Sequence, residues 1–215
     1  MIVITQSENV ITFNLEIYLI NQSSDKTINL YTLADTIKKQ IESVYSGRFG
    51  ALELNTRVNV TPLYKYTLKS IYTKLIIAIS STITNDNAAE ADFGGLLIKL
   101  NPKHIPSINS GTNKRTIPHE FGHILGLDHP HANAKFDSIN LNASALEQAI
   151  SIEEKKTNLM CQSWYVQKAN TSLNNALTLT EDQIKLILEN YLSQKLSKNY
   201  SIKKTFFSHK WIGKV

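Results

Sequence analysis

The segment IPHEFGHILGLDHPH, residues 117–131, holds four of the chain's six histidines, and their spacing restricts the local structure more than any other feature. His119 and His123 are four residues apart, so a helix places both imidazoles on one face, about one turn from each other. At that separation two ring nitrogens reach one zinc ion at about 2.0–2.1 Å. Glu120 stands beside the first ligand, where its carboxylate can take a proton from water that the metal acidifies. Two ligands on a helix leave the site incomplete, so the chain must leave the helix and turn back. Gly126 suits that turn, because glycine adopts positive φ at a helix C-terminus without a steric penalty. His129 then arrives as the third ligand. Three protein ligands with one open position describe a catalytic zinc site, whereas a structural site is closed by a fourth ligand, usually with cysteines present. His131 reads as a solvated loop residue, and Asp128 either orients a ligand or stabilises the turn.

The rest of the chain alternates between the two regular periods. VITFNLEIYLI (10–20) is apolar at nearly every second residue and reads as a strand, whereas Leu33, Ile37, Ile41 and Val44 recur at helical spacing before Gly47. TRVNVTPLY (56–64) and KLIIAISSTI (74–83) read as further strands, the second apolar enough to be central. TNDNAAEAD (84–92) reads as a surface loop, and a fourth strand at 94–100 is ended by Pro102. Pro118 is tolerated only in a first helical turn, so the histidine helix either starts late, with Thr116 near its cap, or is kinked there. LNASALEQAISIEEKK (141–156) reads as a helix. So does 181–196, where Thr180 and Gln183 form a capping box and Ile184, Ile187, Leu188, Tyr191 and Leu192 make one apolar face. The pattern predicts an α+β fold whose sheet carries a helix on at least one face.

HEFGHILGLDH fills the pattern HExxHxxGxxH and resembles the metzincin zinc peptidases. TNLMC (157–161) resembles the Met-turn of that family, which implies that Met160 lies beneath the metal. LTEDQIKLILENYL is similar to the helix that closes matrixin catalytic domains, and Pro130 after the third histidine is similar to serralysins. Where serralysins and astacins carry a tyrosine two residues after the methionine, this chain has Gln162, and Tyr165 is the nearest substitute for an oxyanion or substrate contact. The resemblance implies a metzincin-like zincin domain with a twisted, mostly parallel sheet, an active-site helix and a smaller C-terminal lobe below the cleft. It implies one metallopeptidase domain over 1–197, divided into lobes at about 129/130, followed by a basic tail at 198–215. It also implies zinc as cofactor, Glu120 as general base, and an extended peptide substrate along an edge strand at 94–100, where Gly94, Gly95, Leu96 and Leu97 would make the contacts.

Composition sets outer bounds on this reading. At 215 residues, with 42% hydrophobic and 19% charged residues, the chain suits one folding unit, and a monomer is expected. No apolar run approaches the roughly 18 residues of a membrane span. Cys161 is the only cysteine, so no intramolecular disulfide forms; it is expected to be a buried small hydrophobe or an inhibitory thiolate. Lys195, Lys198, Lys203, Lys204, Lys210 and Lys214 outweigh the net charge of +5, so the rest of the chain is slightly acidic. The basic pI therefore belongs to the C-terminal end and implies no nucleic-acid-binding face, though the tail could hold an acidic partner or lipid headgroups. The first residues show neither a basic leader nor a small-residue cleavage site. The expectation is a zinc metalloendopeptidase that is secreted or delivered outside the producing cell, or the protease toxin domain of a bacterial effector. A zinc-bearing binding module without turnover is the alternative of another class, against which Glu120 argues.

Overall fold

Strand β2 (Val10–Asn21) is where the sheet is assembled, because its apolar alternation buries Ile11, Phe13, Leu15, Ile17 and Leu19 on one face. The computed structural model describes residues 2–66, 74–83, 86–130, 156–168 and 172–196. Along one edge of β2 runs β4 (Leu52–Leu63), parallel, with Val10 opposite Glu53 and Ile20 opposite Leu63. The other edge is shared between β1 (Ile2–Ser7), antiparallel along the first half, and β5 (Leu75–Ile79), parallel along the second. Beyond β5 lies β7 (Leu97–Leu100), parallel to it, and then β6 (Ala89–Ala91), antiparallel to β7. At the opposite margin β3 (Gly47–Phe49) pairs antiparallel with β4. The result is a mixed sheet of seven strands accompanied by helices, an α+β fold.

One expectation about this sheet is qualified and another corrected. The sheet is mixed and not parallel throughout. Its centre, β4, β2, β5 and β7, is parallel, but β1, β3 and β6 each join a sequence neighbour through a short connection, which forces antiparallel pairing. Nor is the strand within 94–100 an edge. Gly94 and Gly95 form a tight turn, in which Gly95 N–H donates to Asp92 O at 3.0 Å and Gly94 has φ +62°. Leu96 and Leu97 are buried, and β7 is paired on both sides. The edge is β6, inside the stretch read as a loop; a three-residue strand of alanines and one glutamate among asparagines and aspartates has almost no strand signature.

Helix α1 (Leu30–Val44) makes the crossover between the parallel strands β2 and β4. Asn29 caps it by accepting from the backbone N–H groups of Tyr31 and Thr32, and Leu33, Ile37, Ile41 and Val44 lie on its buried face. After the short helix α2 (Ile105–Asn109), helix α3 (Thr116–Ile124) packs against α1, β6 and β7. Pro118 is its third residue, so the missing N–H is one that has no intrahelical acceptor anyway. Further on come α4 (Ser163–Lys168) and α5 (Glu181–Leu192), the latter with the expected Thr180–Gln183 capping box. Ile184 and Ile187 of α5, with Leu159 and Met160, join the same apolar cluster as the sheet residues. Leu192 is 74% exposed and drops out of the expected face, and the helix ends there, short of residue 196. The helix read at 141–156 and the tail at 198–215 lie outside the described residues, apart from residue 156. No described helix is long and apolar enough to cross a membrane.

The end of α3 decides where the chain goes next. Gly126 has φ +77°, its N–H donates to His123 O at 3.0 Å, and the Leu127 N–H donates to Gly122 O at 2.9 Å. These two bonds are a Schellman closure. A Cβ at Gly126 would lie 2.6 Å from Asn190 Nδ2, which itself donates to the Gly126 carbonyl at 3.3 Å. Gly126→Ala therefore combines a disfavoured φ with a clash and should cost more than about 1 kcal/mol. A urea midpoint equal to that of the wild type would contradict this account of the turn.

Candidate metal centre

His119 and His123 project from one face of α3, with ring centroids 4.9 Å apart. The turn at Gly126 brings His129 back to face both, at 5.3 Å from His119 and 4.8 Å from His123. One nitrogen from each ring lies within 4.8 Å of the other two, so the group could hold a metal ion. Glu120, adjacent to His119 on α3, lines the same cleft.

Backbone carbonyls decide which nitrogen faces inward. His119 Nδ1–H donates to Leu159 O at 2.7 Å, and His123 Nδ1–H donates to Leu127 O at 2.8 Å. This hydrogen bonding assigns the tautomer that leaves both Nε2 atoms with free lone pairs. His129 Nε2 is 3.3 Å from His119 Nε2. Asp128 accepts the backbone N–H of His129 at 2.8 Å, so this carboxylate stabilises the turn. Burial is the main cause holding both His119 and His123 below the ordinary imidazole range; for His119, Arg115 and the neighbouring imidazoles add to it. Both rings are therefore neutral at pH 7, as metal ligation requires.

The carboxyl of Glu120 is pushed up to about 7, chiefly by burial and further by Glu90 of β6, while Arg115 and the Ala91 N–H act in the opposite direction. A cation held at the imidazoles would lower it again. Arg115, immediately before α3, is 4% exposed. Its Nη2 donates to Leu159 O at 2.6 Å and to Cys161 O, and Nη1 reaches Ser163 Oγ at 3.4 Å. Burial pulls its pKa down to about 10, which leaves it a cation at pH 7.

Met160 is fully buried in the turn 158–161, where Asn158 Oδ1 accepts its N–H at 2.8 Å and Asn158 O accepts the Cys161 N–H at 3.3 Å. A Cβ at Gly122, between the two helical histidines, would lie 2.4 Å from Met160 Sδ, so the glycine is what lets the methionine sit against α3. Cys161 is buried in a small satellite cluster with Val166 and Ala176. Tyr165 falls on α4, but its side chain lies outside the described residues. Of the four residues expected to contact substrate, Gly94 donates its N–H to His123 O at 2.8 Å and so braces α3. The cleft itself, of about 360 Å³, is walled instead by Ala88 and Ala89 at the start of β6 and by Gln162 and Ser163 before and at the start of α4.

Sequence reasoning had not singled out Arg115, or the carbonyls of Leu159 and Leu127. Arg115 precedes His119 by four residues, the same one-turn spacing that links His119 to His123, and that spacing could have pointed to it. Carbonyl partners carry no side-chain signature. No protein-family model matches the chain, and no curated protein is significantly similar to it.

The three-histidine group generates a direct test. The purified protein should bind one equivalent of a divalent transition metal. Replacing His119, His123 or His129 singly with alanine should weaken binding by more than the roughly 10–100-fold lost on removing an outer-shell partner. Metal titration followed by calorimetry reads this, and an alanine variant with unchanged affinity would remove that histidine from the ligand set.

Proposed function

We propose that the protein is a zinc metalloendopeptidase of metzincin type. The observation that carries this reading is the convergence of three imidazoles and one carboxylate on a cleft bordered by a sheet edge. The nitrogen chemistry suits zinc, and no described sulfur or carboxylate joins the group. Two nitrogens bound to one tetrahedral zinc at about 2.05 Å lie about 3.3 Å apart. The His119 and His129 Nε2 atoms have that separation. Three protein ligands leave a fourth position open to the cleft.

When bound, zinc would supply Lewis acidity, polarising the scissile carbonyl and making water in the cleft a better nucleophile. The residues of the chain do the rest. His119, His123 and His129 hold the ion through nitrogens aimed by carbonyl hydrogen bonds. Glu120 would accept a proton from the attacking water and deliver it to the leaving amine, a role open to a carboxylate that lines the cleft next to His119. The peptide would lie extended beside β6, whose outer edge pairs with no other described strand, adding a strand through main-chain hydrogen bonds. That assigns substrate alignment to Ala89, Glu90 and Ala91.

Glu120→Ala should keep the metal and the fold while lowering peptide hydrolysis by at least about a hundredfold, the lower range for loss of a general base. His123→Ala should lose metal as well as activity. Cleavage of a peptide library by Glu120→Ala at the wild-type rate would refute the mechanism. Zinc binding by a well-folded wild type that cleaves nothing would favour a binding module.

A further inference from the structure

The cleft contains a buried cation that the proposed hydrolysis does not use. Arg115 is 4% exposed and lines the cleft. Among the described residues no carboxylate forms an ion pair with it; Glu120 acts on it only through space. A guanidinium carries five N–H donors. Those of Nη2 are taken by the carbonyls of Leu159 and Cys161, and Nη1 makes one long contact, at 3.4 Å, with Ser163 Oγ. Nε has no partner. Burying a charge with donors unmet is costly unless an anion arrives to meet it.

The position of the guanidinium shows which anion it could serve. Its Nη2 is 3.2 Å from His119 Nδ1, on the side of the ring away from the Nε2 that faces the other histidines. Arg115 therefore stands behind a metal ligand and does not reach the carbonyl being attacked. It lines the cleft wall together with Ser163, on the far side of the His119 ring from Nε2. Nη1 and the Ser163 hydroxyl offer two adjacent donors, which suit the two oxygens of one carboxylate.

We propose that Arg115, with Ser163, receives a substrate carboxylate and makes the cleft selective for peptides with an acidic group next to the scissile bond. This rests on the peptidase reading above. The carboxylate is either an aspartate or glutamate side chain or the C-terminus of the substrate. In both cases Arg115 is a specificity residue and takes no part in bond cleavage.

Binding tests this without turnover. Zinc-loaded protein is titrated with two peptide hydroxamates, identical except that the residue next to the chelating group is aspartate in one and asparagine in the other. A second pair differs only in a free or amidated C-terminus, which separates side chain from terminus. At low ionic strength one of the two carboxylate compounds should bind about tenfold or more tightly than its neutral partner, the range expected of a charge-assisted hydrogen bond. Arg115→Met should abolish the difference. Because Arg115 also braces the turn at Met160, Ser163→Asp gives a second route: it places a fixed carboxylate beside Nη1 at an exposed position and should erase the preference with the arginine in place. Equal binding within both pairs, or a preference that survives both substitutions, overturns the selectivity and leaves the peptidase reading standing. A protein that takes up no zinc, or one that holds zinc and binds none of the four compounds, overturns both.

Discussion

Two donors converge on the carbonyl of Leu159: the Nδ1–H of His119 at 2.7 Å and Nη2 of Arg115 at 2.6 Å. That oxygen joins the segment around Met160 to the helix that carries His119 and His123. If it were displaced, His119 would lose the bond that fixes its tautomer, and a buried guanidinium would lose one of the acceptors that make its burial tolerable. The carbonyl stays in place because the turn beneath it is held independently. Leu159 N–H donates to Thr178 O at 2.9 Å, and Asn158 Oδ1 accepts from Met160 N–H and from Gln183 Nε2. Gln183 is also the third residue of the capping box that starts α5. The orientation of one imidazole thus depends, through a short series of hydrogen bonds, on a helix start more than 60 residues further along the chain.

The other end of α3 is held in the same manner. His123 is fixed by Leu127 O, whose position follows from the Schellman turn at Gly126, and Asn190 of α5 closes over that turn through bonds to the carbonyls of Leu125 and Gly126. Helix α5 therefore contacts both supports of the histidine pair, one through Gln183 and one through Asn190. Its two fully buried apolar residues, Ile184 and Ile187, lie between them in sequence. Burial of this helix face and the geometry of the site are linked, so loosening α5 would disturb the supports of both histidines.

The legible parts of this architecture were those in which side-chain identity sets geometry. The i, i+4 histidines, the glycine after them, the apolar face of α1 and the Thr180–Gln183 cap all follow from periodicity or from local hydrogen-bonding chemistry. Illegible were the features set by backbone atoms or by pairing. The Leu159 and Leu127 carbonyls would serve equally well on many residue types. β6 exists because β7 offers it an edge, and Ala89–Ala91 has no strand propensity of its own. Gly94 and Gly95 were read as the start of a strand because an apolar run follows them, yet in the turn a Cβ on Gly95 would lie 2.5 Å from Asp92 Cβ. Arg115 is an intermediate case, since its spacing to His119 was visible but its burial depends on a turn more than 40 residues away.

The two unspecified positions between Glu120 and His123, Phe121 and Gly122, explain what fixes the histidine pair. Phe121 packs edge-on against Tyr45 with centroids 5.2 Å apart, and the Tyr45 hydroxyl donates to Pro118 O at 3.0 Å. Gly122 faces Met160 closely enough that no larger residue fits without displacing the sulfur. Around the helix, then, the histidines face the cleft, Phe121 locks onto the end of α1, and Gly122 admits the methionine turn. Rotating α3 to re-aim either imidazole would break an aromatic contact, a buried hydroxyl bond and a close sulfur contact together. A histidine pair held this way would need little rearrangement to take up an ion, so less of the binding free energy would be consumed in ordering the site. The same packing holds Glu120 relative to the three histidines, because the carboxylate follows His119 on the same helical turn and also accepts the N–H of Ala91 from the sheet edge. In the proposed hydrolysis the placement of this carboxylate would matter as much as its basicity, and α3 and β6 set that placement jointly.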